Sequence, residues 1–146
     1  MRLWHVDLLP YLPDLQFKGQ LREIIVIMRD WRDKGETNHL LINKVMEYPK
    51  YRLYDYFCAY ADEYEKRYNK SLMSSKYGLE FWDFLDDNVA EIPKFGHWHN
   101  KEYLRVCMAN LYEKHYFGVG KSRITDEEWG RLLEGYKILT GEDYVI

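Results

Sequence analysis

Apolar residues recur at spacings of three and four along most of the chain, and clear period-two alternation is absent, so the pattern predicts helices rather than strands. The first long run is headed by Asp14, a candidate N-cap, and reaches about Lys34 with Leu15, Leu21, Ile24, Ile25 and Met28 on its buried side; Gly35 ends it. Ahead of it, Leu8 to Pro13 reads as an extended or turn segment, because Pro10 and Pro13 each bias the preceding residue away from helix. Thr37 or Asn38 then caps a short helix through Leu41, Val45 and Met46, stopped before Pro49. Leu53, Phe57, Tyr60 and Tyr64 define a strong helix from about Tyr51 to Tyr68, with charges on its other face. Ser74 or Ser75 starts another through Leu79, Trp82 and Leu85 to near Asn88, and Val89 to Trp98 reads as loop. Asn100 caps a helix through Leu104, Cys107, Met108 and Leu111 that ends near Gly118. Thr125 with Glu128 three residues on is a capping box, opening a last helix to about Thr140. The expected fold is mostly α: a compact single-domain helical bundle over residues 1–146, of about five or six helices, with an extended N-terminal segment.

Composition narrows the classes. Of 146 residues 47% are hydrophobic and 31% charged, which excludes a disordered tail, and no apolar run reaches the roughly 18 residues of a membrane span. The opening residues lack the apolar stretch and cleavage site of a signal peptide, and two cysteines, Cys58 and Cys107, are too few for a disulfide scaffold, so a reducing cytoplasm is expected. Net charge is −3, yet residues 1–52 hold nine Lys/Arg against seven Asp/Glu while the rest hold 12 against 17. An anionic partner therefore meets the N-terminal third, through cations such as Arg2, Lys18, Arg22, Arg29 and Arg32. Aromatics make up 17%, with 14 Tyr and 5 Trp, either filling a small helical core or lining a stacking cleft.

Three constellations bear on chemistry. His97-Trp98-His99, with Cys107 and His115, has one close-spaced ligand pair but no second, so no metal and no cofactor are expected; a loop packed by Trp98 is the plain reading. Gly118-Val119-Gly120-Lys121-Ser122-Arg123 contains Gly-Lys-Ser, but His115 stands where a phosphate loop needs glycine. Arg22-Glu23, by pattern alone, is a solvated helix face.

The run Pro10 to Glu23, Pro-Tyr-Leu-Pro-Asp-Leu-Gln-Phe-Lys-Gly-Gln-Leu-Arg-Glu, resembles the start of the pyrimidine-dimer DNA glycosylase/AP lyase family of the phage endonuclease V type. The opening Met-Arg-Leu-Trp-His and the Gly19-Gln20-x-Arg22-Glu23 block are similar to that family's bacterial branch. Asn38 to Arg67 and Tyr103 to Lys114 resemble its middle and its C-terminal helix more diffusely. The resemblance implies an enzyme that flips and excises a damaged pyrimidine, or acts on abasic sites, through an N-terminal amine that forms a Schiff base. By position the catalytic pair is the Met1 amine and Glu23. An α-amine, with a pKa near 7.7–8.0 against about 10.4 for lysine, offers more free nucleophile at neutral pH. His5 and Gln16 would help hold the target nucleotide, and Arg22, roughly 100° from Glu23 on a helix, would hold a phosphate.

Two departures bear on these assignments. Residue 2 is Arg, whose bulk keeps the initiator methionine and so puts the amine on Met1, and the family's second arginine, one turn after the Arg-Glu pair, is Val26 here. The implied partner is double-stranded DNA with a damaged or abasic nucleotide, with no membrane involved. The competing classes are a non-catalytic DNA- or protein-binding relative and a small-molecule enzyme; the last requires an enclosed apolar pocket rather than a groove beside Glu23.

Overall fold

The structure is a computed structural model and describes residues 3–35, 45, 47–48, 50–72, 77, 80–81, 84, 95, 98–120 and 123–146. Its elements are a 3-10 helix Val6–Tyr11 and the α-helices α1 (Asp14–Lys34), α2 (Lys50–Tyr68), α3 (Lys101–Tyr116) and α4 (Asp126–Thr140). No strand occurs among the described residues, and the fold is mostly α. The helices expected around Thr37–Met46 and Ser74–Asn88, and the Val89–Trp98 loop, lie largely outside the described residues.

Local chemistry explains the boundaries. The capping box at α4 is formed: Glu128 N–H donates to Thr125 Oγ1 at 3.1 Å and Thr125 N–H to Glu128 Oε1 at 3.0 Å. Gly141 closes that helix at φ 74°, a left-handed conformation that glycine takes without a Cβ penalty. Asn100 caps α3 by accepting from Tyr103 N–H at 2.9 Å. Two expectations are corrected. Asp14 is the first residue of α1 rather than its cap, since Pro13 C=O accepts the first intrahelical bond from Phe17 N–H at 2.9 Å. Of the extended and turn alternatives for Leu8 to Pro13, the extended one is corrected as far as Tyr11, which closes a 3-10 helix: the proline φ suits a tight turn, and the bias against helix before proline prevails only at Leu12, whose ψ is 137°.

The chain divides into two compact units, Met1–Leu3 with Gly19–Gly96, and Trp4–Lys18 with His97–Ile146; the division falls inside α1, between Lys18 and Gly19. The first unit has an aromatic core. Phe57 meets Phe81 edge-on at 6.1 Å, Phe84 meets Phe81 at 5.8 Å and Trp31 at 5.9 Å, and Ile24, Met28, Leu53 and Tyr60 are fully buried. In the second unit α4 packs on the 3-10 helix and on α3. Gly135 permits the first contact: a Cβ there would run into the ring of Tyr11. Trp129, Leu132, Tyr136, Leu8, Leu9 and Leu104 fill the core. Many of the 25 aromatic side chains are therefore packing, as the plain reading of the composition has it.

Candidate functional site

At about 100° per residue, α1 sorts its side chains into two faces and an edge. Phe17, Ile24, Met28 and Trp31 are buried, whereas Arg22 is exposed and Val26 is 54% exposed. Leu15, expected inside, is 52% exposed because it lies roughly 180° from Ile24. Glu23 falls on the edge between the faces and is half-buried. A carboxylate at such a boundary keeps access to a reactant while its surroundings lower the local dielectric.

Facing this edge within the first unit is α2. Gln20, buried at 3% exposure, accepts at its Oε1 from Tyr56 Oη at 3.0 Å and from Tyr60 Oη at 3.3 Å. The two tyrosine rings meet edge-on at 5.5 Å. Burial pushes the Tyr60 hydroxyl well above its ordinary pKa; the Arg67 charge opposes that rise and the Glu23 charge adds to it. Arg67 itself is ion-paired with Glu63 at 2.9 Å, one turn before it on α2. Glu23 therefore sits within electrostatic range of a buried polar cluster made of Gln20, Tyr56 and Tyr60. Sequence reasoning missed that cluster. Gln20 stands at a core position of α1, and the polar-in-apolar periodicity was the available signal.

The remaining candidates divide. Met1 and Arg2 lie outside the described residues. Arg22 makes no ion pair among the described residues and is open to an external anion. Arg29 donates from Nε and Nη2, one edge of its guanidinium, to the two carboxylate oxygens of Glu80, Nη2 to Oε2 at 3.1 Å, and Arg32 donates from Nε to Asp33 at 2.8 Å and lies 3.6 Å from Glu80. A phosphate at either arginine must first displace a carboxylate. Lys18 is exposed and Gln16 half-buried with its Oε1 buried and unbonded; both belong to the second unit.

His5, expected at the nucleotide, is 4% exposed and accepts from Asp7 N–H through Nδ1 at 3.1 Å, so its ring is spent on the turn that starts the 3-10 helix. It lies 5.2 Å from His99, whose Nδ1 accepts from Val6 N–H at 3.1 Å and whose ring stacks on Tyr103 at 5.0 Å. Burial, with His5 adding to it, lowers His99 to about 3. Burial likewise lowers His5, against the pull of Asp7 and of hydrogen bonds to the His99 and Asn100 backbone. Both rings are accordingly neutral at pH 7. A cavity of about 310 Å³ adjoins them, edged by Asp7, Asn100, Lys101 and Thr140, and it is not the enclosed apolar pocket that the small-molecule reading requires.

Of the other constellations, His97, Lys121 and Ser122 lie outside the described residues. His115 bonds the Ile124 carbonyl at 2.9 Å and stacks on Trp129 at 5.6 Å. Among the described residues no group of three His, Cys, Asp or Glu side chains is placed to hold a metal ion, and no helix is long and apolar enough to cross a membrane.

Neither curated proteins nor solved structures yield a match to the chain. A family model described as pyrimidine dimer DNA glycosylase matches residues 1–75, a span that holds α1, α2, Glu23 and the Gln20–Tyr56–Tyr60 cluster. With half of its length matched, the chain belongs to the pyrimidine dimer DNA glycosylase family, a DNA-repair family whose substrates are DNA with damaged bases.

Proposed function

We propose that the chain is a DNA glycosylase with AP lyase activity that uses the Met1 α-amine as nucleophile and Glu23 as its carboxylate. The enzyme binds duplex DNA and flips the damaged pyrimidine out of the stack, because C1′ is out of reach within it. The amine nitrogen attacks C1′ and forms an N–C1′ bond. The glycosidic bond breaks, and its electron pair leaves with the base. Opening of the sugar gives the iminium; loss of a C2′ proton then breaks the C3′–O bond and releases the 3′ phosphate. Glu23 stabilises the positive charge at the sugar and carries protons. Arg22 and Lys18 hold backbone phosphates. In this reading residues 1–146 work as one functional domain, in the cytoplasm.

One observation supports this reading above the others: Glu23 is half-buried at the edge of α1, in the unit whose core also holds Leu3, fully buried. Two residues of chain span at most about 7 Å, so burial of Leu3 ties the α-amine to that unit on a short tether. The deciding experiment is borohydride trapping on an abasic-site duplex, using protein with a free N-terminus. A covalent adduct and nicking are expected. An intact duplex with no adduct assigns the chain to the non-catalytic relatives.

A further inference from the structure

The Gln20 cluster has features that packing does not require. Its neighbours Ile24, Ile27 and Phe57 are apolar and buried, and an amide among such residues is costly unless hydrogen bonds hold it. Two hydroxyl donors, from Tyr56 and Tyr60, converge on the one oxygen of Gln20 and occupy both of its lone pairs. The amide oxygen is thereby held in place by α2. Glu23 follows Gln20 by three residues on α1, a spacing that puts Cβ atoms about 5–6 Å apart on the same side of a helix.

We propose that Gln20, clamped by the Tyr56 and Tyr60 hydroxyls, is a positioning residue that holds the Glu23 carboxylate in its reactive orientation. The inference rests on the catalytic reading of Glu23. It adds a second layer to that site: α2 acts on the chemistry through α1 without touching the substrate. Among the described residues, the charged groups named around the cluster are Glu23 and, beside it on α1, Arg22, with Arg67 and Glu63 paired on α2; Tyr56 and Tyr60 are its titratable hydroxyls. The electrostatic link between Glu23 and Tyr60 is consistent with this arrangement.

The test measures Glu23 itself as well as the reaction. The full chain with a free N-terminus is titrated by carbon-13 NMR of the Glu23 carboxyl, and single-turnover nicking of an abasic duplex is followed against pH. A donor directed at a carboxylate favours its charged form. Gln20→Met should therefore raise the Glu23 titration and the acid limb of the rate profile by about one pH unit, a roughly tenfold slower rate below that limb. Tyr60→Phe, which keeps the ring and removes one clamp, should move both in the same direction by less. Curves for folded Gln20→Met and Tyr60→Phe that superimpose on wild type overturn the inference. If Gln20→Met does not fold, Tyr60→Phe and Tyr56→Phe decide it by the same two curves. Wild-type rates from Glu23→Gln defeat the catalytic reading and this inference together. An inactive Glu23→Gln beside an unshifted Gln20→Met titration defeats only the positioning role.

Discussion

The two units bury polar side chains to opposite ends. In the unit built on α1 and α2, Gln20, Tyr56 and Tyr60 bond to one another beside a half-buried carboxylate, Glu23. In the unit built on α3 and α4, His5 and His99 each spend Nδ1 on a backbone N–H of the 3-10 helix and stack with Tyr103. A histidine is the more reactive residue type and a glutamine the less, yet the histidines here are joints in the fold and the glutamine sits beside the carboxylate proposed to act in the reaction. Where a buried hydrogen bond ends is the better guide to role than residue type.

The comparison breaks first at Glu23. Glu23→Gln removes charge and keeps shape, so single-turnover nicking should fall about 10²–10³-fold while gel-shift affinity for an abasic duplex is retained. On the other side, His99→Ala deletes a buried stacked ring and strands the Val6 N–H, so it should cost about 2–4 kcal/mol in urea unfolding, with nicking by the folded fraction unchanged. Loss of nicking in folded His99→Ala would place the histidine cluster in the chemistry and erase the contrast.

Acid should sharpen it. His5 and His99 have lowered pKa values in the fold, His99 about 3, against 6.5 unfolded. The unfolded chain binds their protons first, so their contribution is fully present above about pH 6.5 and is lost as pH falls below it, for His99 down to about 3. Below pH 6.5 the unfolding free energy should drop with a slope approaching about 1.4 kcal/mol per pH unit from His99, with His5 acting in the same direction, and His99→Phe should flatten it.

A smaller effect is expected at Arg22, exposed and without an ion pair among the described residues. Arg22→Ala should weaken duplex binding by about 1–3 kcal/mol and reduce the salt dependence by about one phosphate contact, with nicking restored at higher protein concentration. Smallest is Thr125→Ala, which removes half of the capping box of α4 and should cost about 1 kcal/mol in unfolding with no change in nicking.

The same contrast explains what the sequence revealed. The start of α4 is legible in Thr125 and Glu128, which form a local capping box and need no distant partner, and its end falls at Thr140, where the periodicity places it. Glu23 is a candidate through resemblance; by pattern it is one more charge on a helix. The Gln20 clamp was not legible, since its partners lie 36 and 40 residues away and no local rule links them. What the sequence does not carry for His5 and Arg29 is what folds over them, a backbone turn in one case and Glu80 in the other.

The contact of Tyr11 with Gly135 also fixes an order of events during synthesis. The 3-10 helix Val6–Tyr11 leaves the ribosome more than a hundred residues before α4, the helix that covers it. At about 5–20 residues per second the nascent chain waits on the order of ten seconds with Leu8 and Leu9 unshielded. Closing so long a loop is slow, and α1 and α2 have their own nearby contacts to form in the meantime. The half built on α1 and α2 is therefore expected to fold co-translationally, while the half that carries the histidines assembles only after release. A nascent chain stalled after α2 should already protect α1 amides from exchange and leave those of Leu8 and Leu9 open.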